Sequence, residues 1–461
     1  MQHYRRYIHL SAVLQALCFG AFFHGSLAQA QAPVRVGIIG DQTLVATNVS
    51  DAYEILKAGV TILNKLSVAT VLHTGDLIES SYTESEIRKN FQQATDILSG
   101  LKTKWHMAVG DHDVSPPYAP NSSDRSKESL FLKLYQEKDT AASGLYYSFD
   151  VQGYHFVSIY TEEQLDTDPR WGDVFLAQIS DPQYKWLKAD LESHRQSNGV
   201  VVFMHQPLWY NWTGWSHIHE LLKSYRVIAV VAGHFHYPQD SGTLDGIRYI
   251  TIGATGGKIK DSDPKSGGLP HITVMTLDRG KAMFNLLSVP DEKTVALTPH
   301  EDMDRIQALD LVLGGLYSFK DDNYLCAKDG RLYGDTAATK SPTLQLIPIG
   351  NPIDVPLDMS VTLDAPALQL QDNQYMPDGC GATDHCTLPA GARIESSNNS
   401  SIVLNNRFTP LPPLWQATIK MRDSSTQPPI DVNLEVKLSF QTKGTIRWIK
   451  GNAKATVVAC Q

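Results

Sequence analysis

The pattern of apolar and polar positions divides the chain into two regions. In the first, from residue 34 to about residue 290, short apolar runs typical of strands alternate with segments whose apolar side chains recur at helical spacing. This region opens with strands at 34–39, 69–74 and 105–109, separated by helices at 49–66 and 84–101. The βαβαβ order predicts parallel strands in a sheet that helices cover.

The same rhythm continues and then changes. Further strands are predicted at 145–149, 155–160, 200–204, 227–232, 249–252 and 272–277, with helices at 182–195 and 215–225. We therefore assign residues 33–290 to one α/β domain. A linker at 291–309 with a short helix follows, and turn signals such as Asp329-Gly330 then punctuate short strands. Residues 310–461 are predicted to form a small all-β domain.

Residues 1–32 have the composition of a secretory signal peptide. Arg5 and Arg6 give a basic start, residues 7–23 are largely apolar, and Ala28, Ala30 and Ala32 offer A-x-A cleavage sites. The alternative is a membrane anchor, but polar residues break the apolar stretch, which falls short of the ~20 residues that span a bilayer. We expect a secreted or periplasmic protein with no integral membrane segment in its mature form.

Four of the five cysteines, Cys326, Cys380, Cys386 and Cys460, lie beyond the signal. An even number in an exported chain favours two disulfides. Four cysteines allow three pairings and the sequence does not choose among them; we favour Cys380 with Cys386 and Cys326 with Cys460. Because all four follow residue 300, we expect the disulfides to staple the C-terminal β domain.

The net charge of the chain limits the classes of molecule that it is expected to bind. The 461 residues carry a formal net charge of −9, and loss of Arg5 and Arg6 with the signal leaves 38 basic against 49 acidic side chains, or −11. This balance argues against a nucleic acid duplex as partner, because duplex binding relies on clustered Lys and Arg. A protein of this charge that handles phosphates needs a local source of positive charge.

Acidic residues follow the first three strands at equal intervals. Gly40-Asp41, Gly75-Asp76 and Gly110-Asp111 are each separated from the next by 35 residues. A βα unit takes ~30 residues, so this spacing returns the chain to the same sheet edge each time. We expect three carboxylates side by side at the carboxyl ends of the strands, where open α/β sheets place their ligand sites.

Histidines follow two later strands. His205 comes after the strand at 200–204, and His234 and His236 come after the strand at 227–232. Histidines two apart in an extended segment point to the same side. Three carboxylates and three imidazoles at one edge form a mixed ligand set suited to two cations, and cations would relieve the repulsion among the carboxylates.

These blocks, in this order, resemble the calcineurin-like metallophosphoesterases. The third block reads Gly110-Asp111-His112-Asp113, and the resemblance spans residues 34 to 287. It implies a four-layer α/β/β/α sandwich with a two-metal site, followed here by the small all-β C-terminal domain. It also implies hydrolysis of a small-molecule or surface phosphoester, mono- or diester, by attack of a metal-bound hydroxide on phosphorus.

The resemblance implies a role for each position. Asp76 would bridge two metal ions, identified only as Fe, Zn or Mn. Asp41 and His236 would hold one ion, and Asp111, His205 and His234 would hold the other. His112 would protonate the leaving group, and Asp113 would orient its imidazole.

Two substitutions depart from the family pattern. The first block normally reads Asp-x-His, but Thr43 stands in the His position. Purple acid phosphatases also lack this His and use a Tyr three residues after the bridging Asp. That position is Glu79 here, so Glu79 is a candidate ligand and Gln42 a weaker one. The third block normally has Asn where Asp111 stands, which predicts a trivalent ion or a preference for a less charged diester.

A rival interpretation is a binding or assembly protein. In it, a weakened phosphoesterase domain holds at most one metal ion and the C-terminal β domain contacts a glycan or another protein. Thr43 favours this interpretation. The retained His112 and Asp113 favour the enzyme, because a scaffold needs no leaving-group acid. The partner of the C-terminal domain is not identified by the sequence.

Overall fold

The computed structural model of the chain describes most residues after the first thirty-one. It covers residues 32–42, 49–81, 83–114, 127–163, 179–210, 212–259, 263, 268–295, 297–314, 324–328, 331–335, 344–345, 351–371, 385–388, 418–422 and 427–459. The described residues from Pro33 onward belong to one compact unit. Residues 1–31 of the predicted signal peptide and Thr43 lie outside the described residues.

The first part of the chain has the predicted βαβαβ order. Its elements are β1 (Val34–Ile39), α1 (Val49–Leu66), β2 (Thr70–His73), α2 (Glu84–Leu98), β3 (Trp105–Met107), α3 (Asp111–Val114) and α4 (Glu128–Gln136). Helix α2 starts with a capping box, in which the Thr83 side chain accepts from the Glu86 N–H and the Glu86 side chain accepts from the Thr83 N–H. β1, β2 and β3 pair in parallel, as the spacing predicts.

The next part supplies a second set of strands. Its elements are β4 (Tyr147–Val151), β5 (Tyr154–Ile159), α5 (Asp181–Ser193), β6 (Val200–Met204), a 3-10 turn (Leu208–Tyr210), α6 (Trp212–Leu222), β7 (Val227–Ala232), β8 (Gln239–Leu244), β9 (Ile247–Thr251), β10 (His271–Asp278) and β11 (Lys281–Ser288). Most of these match the predicted strands and helices. β8 and β11 were not predicted.

The C-terminal part is rich in strands. After the short β12 (Thr294–Val295) come α7 (His300–Gly314), β13 (Tyr324–Lys328), β14 (Arg331–Asp335), β15 (Leu344–Gln345), β16 (Leu357–Asp364), β17 (Leu368–Gln371), β18 (His385–Leu388), β19 (Thr418–Met421), β20 (Ile430–Thr442) and β21 (Thr445–Ala459). β20 and β21 form a long hairpin closed by Lys443 and Gly444, both with positive φ, as a tight two-residue hairpin turn requires.

Two mixed six-stranded sheets form the centre of the first region. One has the order β12-β11-β10-β1-β2-β3 and the other the order β4-β5-β6-β7-β9-β8. Side chains such as Ile38 and Met275 from the first sheet and Phe203 and Val231 from the second fill one buried cluster between them. Helices α1, α2 and α4 cover the first sheet, and α5 and α6 cover the second. The predicted four-layer α/β/β/α sandwich is confirmed.

The strand-rich C-terminal region shares its core with the rest of the molecule. Its main sheet has the order β14-β13-β21-β20-β16-β18, and a three-stranded sheet has the order β15-β19-β17. Buried residues of β20 such as Leu434 and Leu438 join Met303 and Leu309 of α7 in one cluster, which also includes Tyr237. Helix α7 thus lies where a linker was expected and packs against β8 and β21. The boundaries at 290 and 309 stay predictions.

The positions of the cysteines relate to the predicted disulfides, and the character of the helices relates to the alternative of a membrane anchor. Cys326 in β13 lies opposite Val458 of β21, two residues before Cys460, which is outside the described residues. Cys386 is in β18, and Cys380 is outside the described residues. Within the described ranges, no helix combines the length and apolar character that crossing a bilayer requires.

Candidate metal centre

Three aspartates meet at the carboxyl edge of the first sheet. Asp41 follows β1, Asp76 follows β2 and Asp111 follows β3, and their exposed fractions are 0%, 1% and 1%. Gly75 has φ +101°, a conformation that favours glycine, and a Cβ at Gly110 would lie 2.2 Å from Oδ1 of Asp76. These two glycines let the backbone turn and leave room for the carboxylates. The convergence predicted from the 35-residue spacing is present.

His205 reaches this edge from the second sheet, where it directly follows β6. Its Nδ1 donates to the carbonyl oxygen of Thr74 at 2.8 Å, which leaves Nε2 to face the carboxylates. Nε2 lies 2.9 Å from Oδ1 of Asp111 and 3.3 Å from Oδ2 of Asp76. In histidine metal ligands, one ring nitrogen usually donates to a backbone carbonyl or a carboxylate. This hydrogen bond fixes the tautomer of the ring and leaves the other nitrogen free to bind metal.

The segment after β7 brings two more imidazoles. The backbone N–H of His234 donates to Oδ1 of Asp41 at 2.8 Å, and Nδ1 of His234 lies 3.2 Å from Oδ1 of Asp111. His236 donates from Nδ1 to the carbonyl oxygen of Lys258 at 2.6 Å, and its Nε2 lies 3.7 Å from Oδ1 of Asp41. Both histidines have left-handed backbones, with φ +72° and +60°.

The donor set fits metal ions. Nδ1 of His234 and Nε2 of His205 lie 3.1 Å apart and both point at Asp111. Oδ2 of Asp41 is buried and has no hydrogen-bond partner among the residues that the structure describes, and burial raises the pKa of this carboxyl group. Ligand atoms lie within 4.8 Å of one another in two overlapping groups, Asp41–Asp76–His205 and Asp111–His205–His234. Carboxylate oxygens and imidazole nitrogens in these groups could hold two cations.

His112 stands at the rim of this cluster. Its backbone N–H donates to Oδ1 of Asp76 at 3.0 Å, and its Nδ1 lies 2.8 Å from Oε1 of Glu79 and 3.2 Å from the Ser80 hydroxyl. Although burial favours the neutral ring, the Asp76 carboxylate and the hydrogen bond to Glu79 raise the pKa of His112 to about 10. These two acidic groups favour the protonated form of the imidazole.

The other predicted site residues occupy different places. Asp113 is buried, and its carboxylate accepts hydrogen bonds from the backbone N–H groups of Asp76, Ile78 and Gly110 at 2.9 to 3.1 Å. It ties together the turns that carry two of the aspartates. The side chain that contacts Nδ1 of His112 is Glu79, which was expected among the metal ligands.

Sequence reasoning missed several supporting groups. The carbonyl oxygens of Thr74 and Lys258, which orient His205 and His236, belong to the backbone and leave no mark on residue type. Ser80 next to Glu79 was also missed, although its place one residue after a candidate site residue is a usable signal. The weaker candidate Gln42 is buried, and its Nε2 donates to the Gly40 carbonyl oxygen at 3.3 Å.

The region that contains this site is similar to known proteins. The profile of the family described as calcineurin-like phosphoesterase matches residues 34–238. Purple acid phosphatase 23 of Arabidopsis thaliana is 30% identical over 264 residues, covering 50% of this chain and 54% of that protein. Purple acid phosphatase 22 of the same plant is 29% identical over 221 residues, covering 44% of each. The chain thus spans about half the length of these curated relatives.

Among solved structures, a dimetal phosphatase from Danio rerio aligns with a TM-score of 0.41 and 16% identity, covering 54% of this chain and 98% of that one. A purple acid phosphatase from Lupinus luteus seeds aligns with a TM-score of 0.43 and 16% identity, covering 58% and 53%. The matched stretch 34–238 contains all three aspartates and all three histidines of the cluster. This stretch of the chain, less than half of its length, therefore resembles the calcineurin-like phosphoesterase family.

Proposed function

We propose that the protein is a metal-dependent phosphoesterase that hydrolyses a phosphate mono- or diester. The observation that carries the proposal is the convergence of three buried carboxylates with His205, His234 and His236, beside His112 at the rim of the cluster. The names of the Arabidopsis relatives, all purple acid phosphatases, point to the same reaction class.

In this proposal, Asp76 would contribute to both ion positions, Asp41 and His236 would hold one ion, and Asp111, His205 and His234 would hold the other. Two bound cations lower the pKa of a coordinated water from about 15.7 toward 7 and stabilise charge on phosphoryl oxygens. The identity of the ions, Fe, Zn or Mn, is left to metal analysis. The protein contributes the orientation of His205 and His236 through backbone carbonyls and the burial that excludes bulk water.

His112 supplies the proton for the leaving group. Its Nδ1 is occupied by Glu79, so the proton on Nε2 is the one available to the ester oxygen. Nε2 lies 3.9 Å from Oδ2 of Asp111, at the rim of the donor cluster. Glu79 is then a positioning residue that holds the ring and keeps it charged, and Asp113 shapes the turns beneath it.

The substrate class and location are also proposals. The site lies at the edge of a sheet, which suits a small or surface-accessible phosphoester. The composition of residues 1–32 supports export, to the periplasm or beyond. The register that sets Cys326 opposite Val458 supports a disulfide between Cys326 and Cys460.

The test is hydrolysis of a nitrophenyl monoester and diester by metal-free protein reloaded with Mn²⁺, Zn²⁺ or Fe. We expect turnover with at least one metal. His112→Asn should lower kcat about 10²- to 10⁴-fold for an alkyl phosphate and less for the nitrophenyl ester, whose leaving group needs little protonation. Glu79→Gln should show a smaller loss with the same dependence on leaving group, and Ser80→Ala serves as its matched control. No turnover with any metal would favour the binding-protein interpretation.

A further inference from the structure

The segment His234-Phe235-His236-Tyr237 contacts the metal centre through its histidines and the apolar interior through its aromatic residues. Its histidines turn toward the metal centre, at 3.2 Å from Asp111 and 3.7 Å from Asp41. Its two aromatic rings stack on each other, with centroids 5.5 Å apart and planes at 17°. Tyr237 is only 4% exposed, so this stack is part of the interior of the molecule.

The aromatic side of the segment is buried against the C-terminal region. Tyr237 belongs to a buried apolar cluster in which every other member lies at residue 303 or beyond, including Met303 and Leu309 of α7 and Leu434 of β20. Phe235 packs against this cluster and also against the cluster beneath α5 and α6. The ligand-bearing segment therefore rests on a surface that residues outside the phosphoesterase sandwich provide.

Polar contacts of residues that follow the segment continue this attachment. Immediately after it, the N–H of Asp240 donates to the Thr298 carbonyl oxygen at 3.2 Å, and Gln239 donates to Asp304 of α7 at 3.3 Å. The loop whose Lys258 carbonyl orients His236 is joined to β21 farther along. There, the N–H of Asp263 donates to the Trp448 carbonyl oxygen at 3.0 Å.

The backbone of the segment needs such support. His234 and His236 have φ +72° and +60°, in the left-handed region that non-glycine residues seldom adopt. Residues in this region persist only where the surrounding structure holds them. In the sequence, Thr43 also stands where the family that the chain resembles has a histidine, so one imidazole fewer is available beside Asp41 and His236.

We propose that the C-terminal β region positions metal ligands through Phe235 and Tyr237. These two residues act as positioning residues for His234 and His236, and the ion at Asp41 and His236 depends on them most. The ion at Asp111, His205 and His234 depends on them less, because strands and turns of the sandwich hold Asp111 and His205, two of its three ligands. This inference rests on the proposed function, since it takes the cluster to be a two-metal site.

The test measures retained metal by elemental analysis after equilibration with increasing chelator. We expect wild-type protein to retain two ions, and Tyr237→Ala to release one of them at about 10- to 100-fold lower chelator while retaining the other. Tyr237→Phe keeps the ring and should behave as wild type. Leu98→Ala opens a cavity in the core under α2, away from the segment, and should lower thermal stability without changing metal retention.

The outcomes separate the two proposals. If folded Tyr237→Ala retains both ions like the wild type, the positioning role is wrong and the two-metal site stands. If Leu98→Ala releases an ion as readily as Tyr237→Ala, the effect is general destabilisation and the positioning role is again wrong. If the wild-type protein binds no metal, the proposed function itself fails. Should Tyr237→Ala not fold, Tyr237→Leu replaces it, with the same selective loss expected.

Discussion

At the scale of single residues, the roles of the acidic side chains follow from what each carboxylate contacts. Asp113 accepts three backbone N–H groups and so holds turns, whereas Glu79 contacts an imidazole and so sets its charge and orientation. Asp111 lies among two imidazoles at 2.9 and 3.2 Å. A full negative charge at Asp111, where the family has a neutral amide, alters the electrostatic balance of the site.

Asp111→Asn removes one negative charge and keeps an oxygen donor. A doubly charged monoester gains more from this change than a singly charged diester, because the repulsion that it feels is larger. We expect the ratio of kcat/KM for the monoester to kcat/KM for the diester to rise about tenfold. The kinetics are compared at equal metal content. An unchanged ratio with unchanged metal content would contradict the electrostatic role.

The buried environment of His271 predicts how the folding stability of the protein depends on pH. It is buried, its Nε2 accepts from the Gly253 N–H at 3.1 Å, and burial lowers its pKa to about 4. In the unfolded chain the ring takes up a proton near pH 6.5. Between these values the unfolded state binds more protons than the folded state, so folding stability falls as the pH falls.

We expect this residue to account for about 3 kcal/mol of stability lost between pH 6.5 and pH 4. His271→Gln offers an oxygen to the Gly253 N–H and does not titrate, so its stability should fall less steeply over that window. Urea unfolding at several pH values measures both curves, and values at pH 7.5 give the reference. Parallel curves for the two proteins would show that the ring is not kept neutral.

At the scale of elements, the site depends on how each strand ends. β1, β2 and β3 run in parallel, so the residues after them share one edge, and β6 and β7 bring histidines to it from the facing sheet. At the turn after β2, Gly75 lies directly behind the His205 ring. A side chain at this position would displace a candidate ligand and leave the strand itself intact.

Gly75→Ala tests this geometry against a matched control. A Cβ there would lie 2.5 Å from Nδ1 of His205, whereas Gly242 has a similar φ of +91° and no atom within 4 Å of its Cβ position. Both substitutions impose backbone strain of about 1–3 kcal/mol, but only Gly75→Ala moves the imidazole. We expect Gly75→Ala to lose metal and activity, and Gly242→Ala to lose stability only. Equal metal content in the two variants would exclude the clash.

Elements also show what could be predicted from the sequence and what could not. The 35-residue spacing predicted the meeting of Asp41, Asp76 and Asp111, because strand ends obey topology. The partner of His112 was not predictable, because the direction of a side chain after a tight turn depends on backbone angles that spacing does not encode. β8 (Gln239–Leu244) was not predicted, because its sequence is mostly polar. Its backbone hydrogen bonds with β9 make it a strand.

At the scale of the whole molecule, an acidic chain concentrates three of its carboxylates in a buried cluster. The cluster is costly without cations, because buried like charges repel and lack solvent. Ions that bind only the folded state stabilise it by mass action. The metal centre should therefore be as much a part of the stability of the protein as of its chemistry.

Chelation tests this expectation directly. We expect removal of metal by EDTA to lower the midpoint of thermal unfolding by several degrees, since saturation at 100 times Kd is worth about 2.7 kcal/mol. Addition of excess Mn²⁺ or Zn²⁺ should restore the midpoint. Asp41→Asn in the same assay should show a smaller difference between metal-free and metal-loaded protein. A midpoint that EDTA leaves unchanged would mean that the cluster is stable without ions.

The left-handed backbones of Asp41, Asp76, His234 and His236 have one more consequence. These four residues lie close together in strained backbone conformations, and we expect a bound ion to hold them in those conformations. When the ion leaves, we expect these turns to open briefly while the sheets stay closed, because opening the turns costs less free energy than opening the sheets. Amide hydrogen exchange would record this as faster exchange at the His234 N–H, which donates to Asp41, with no change in the centres of β1 and β7.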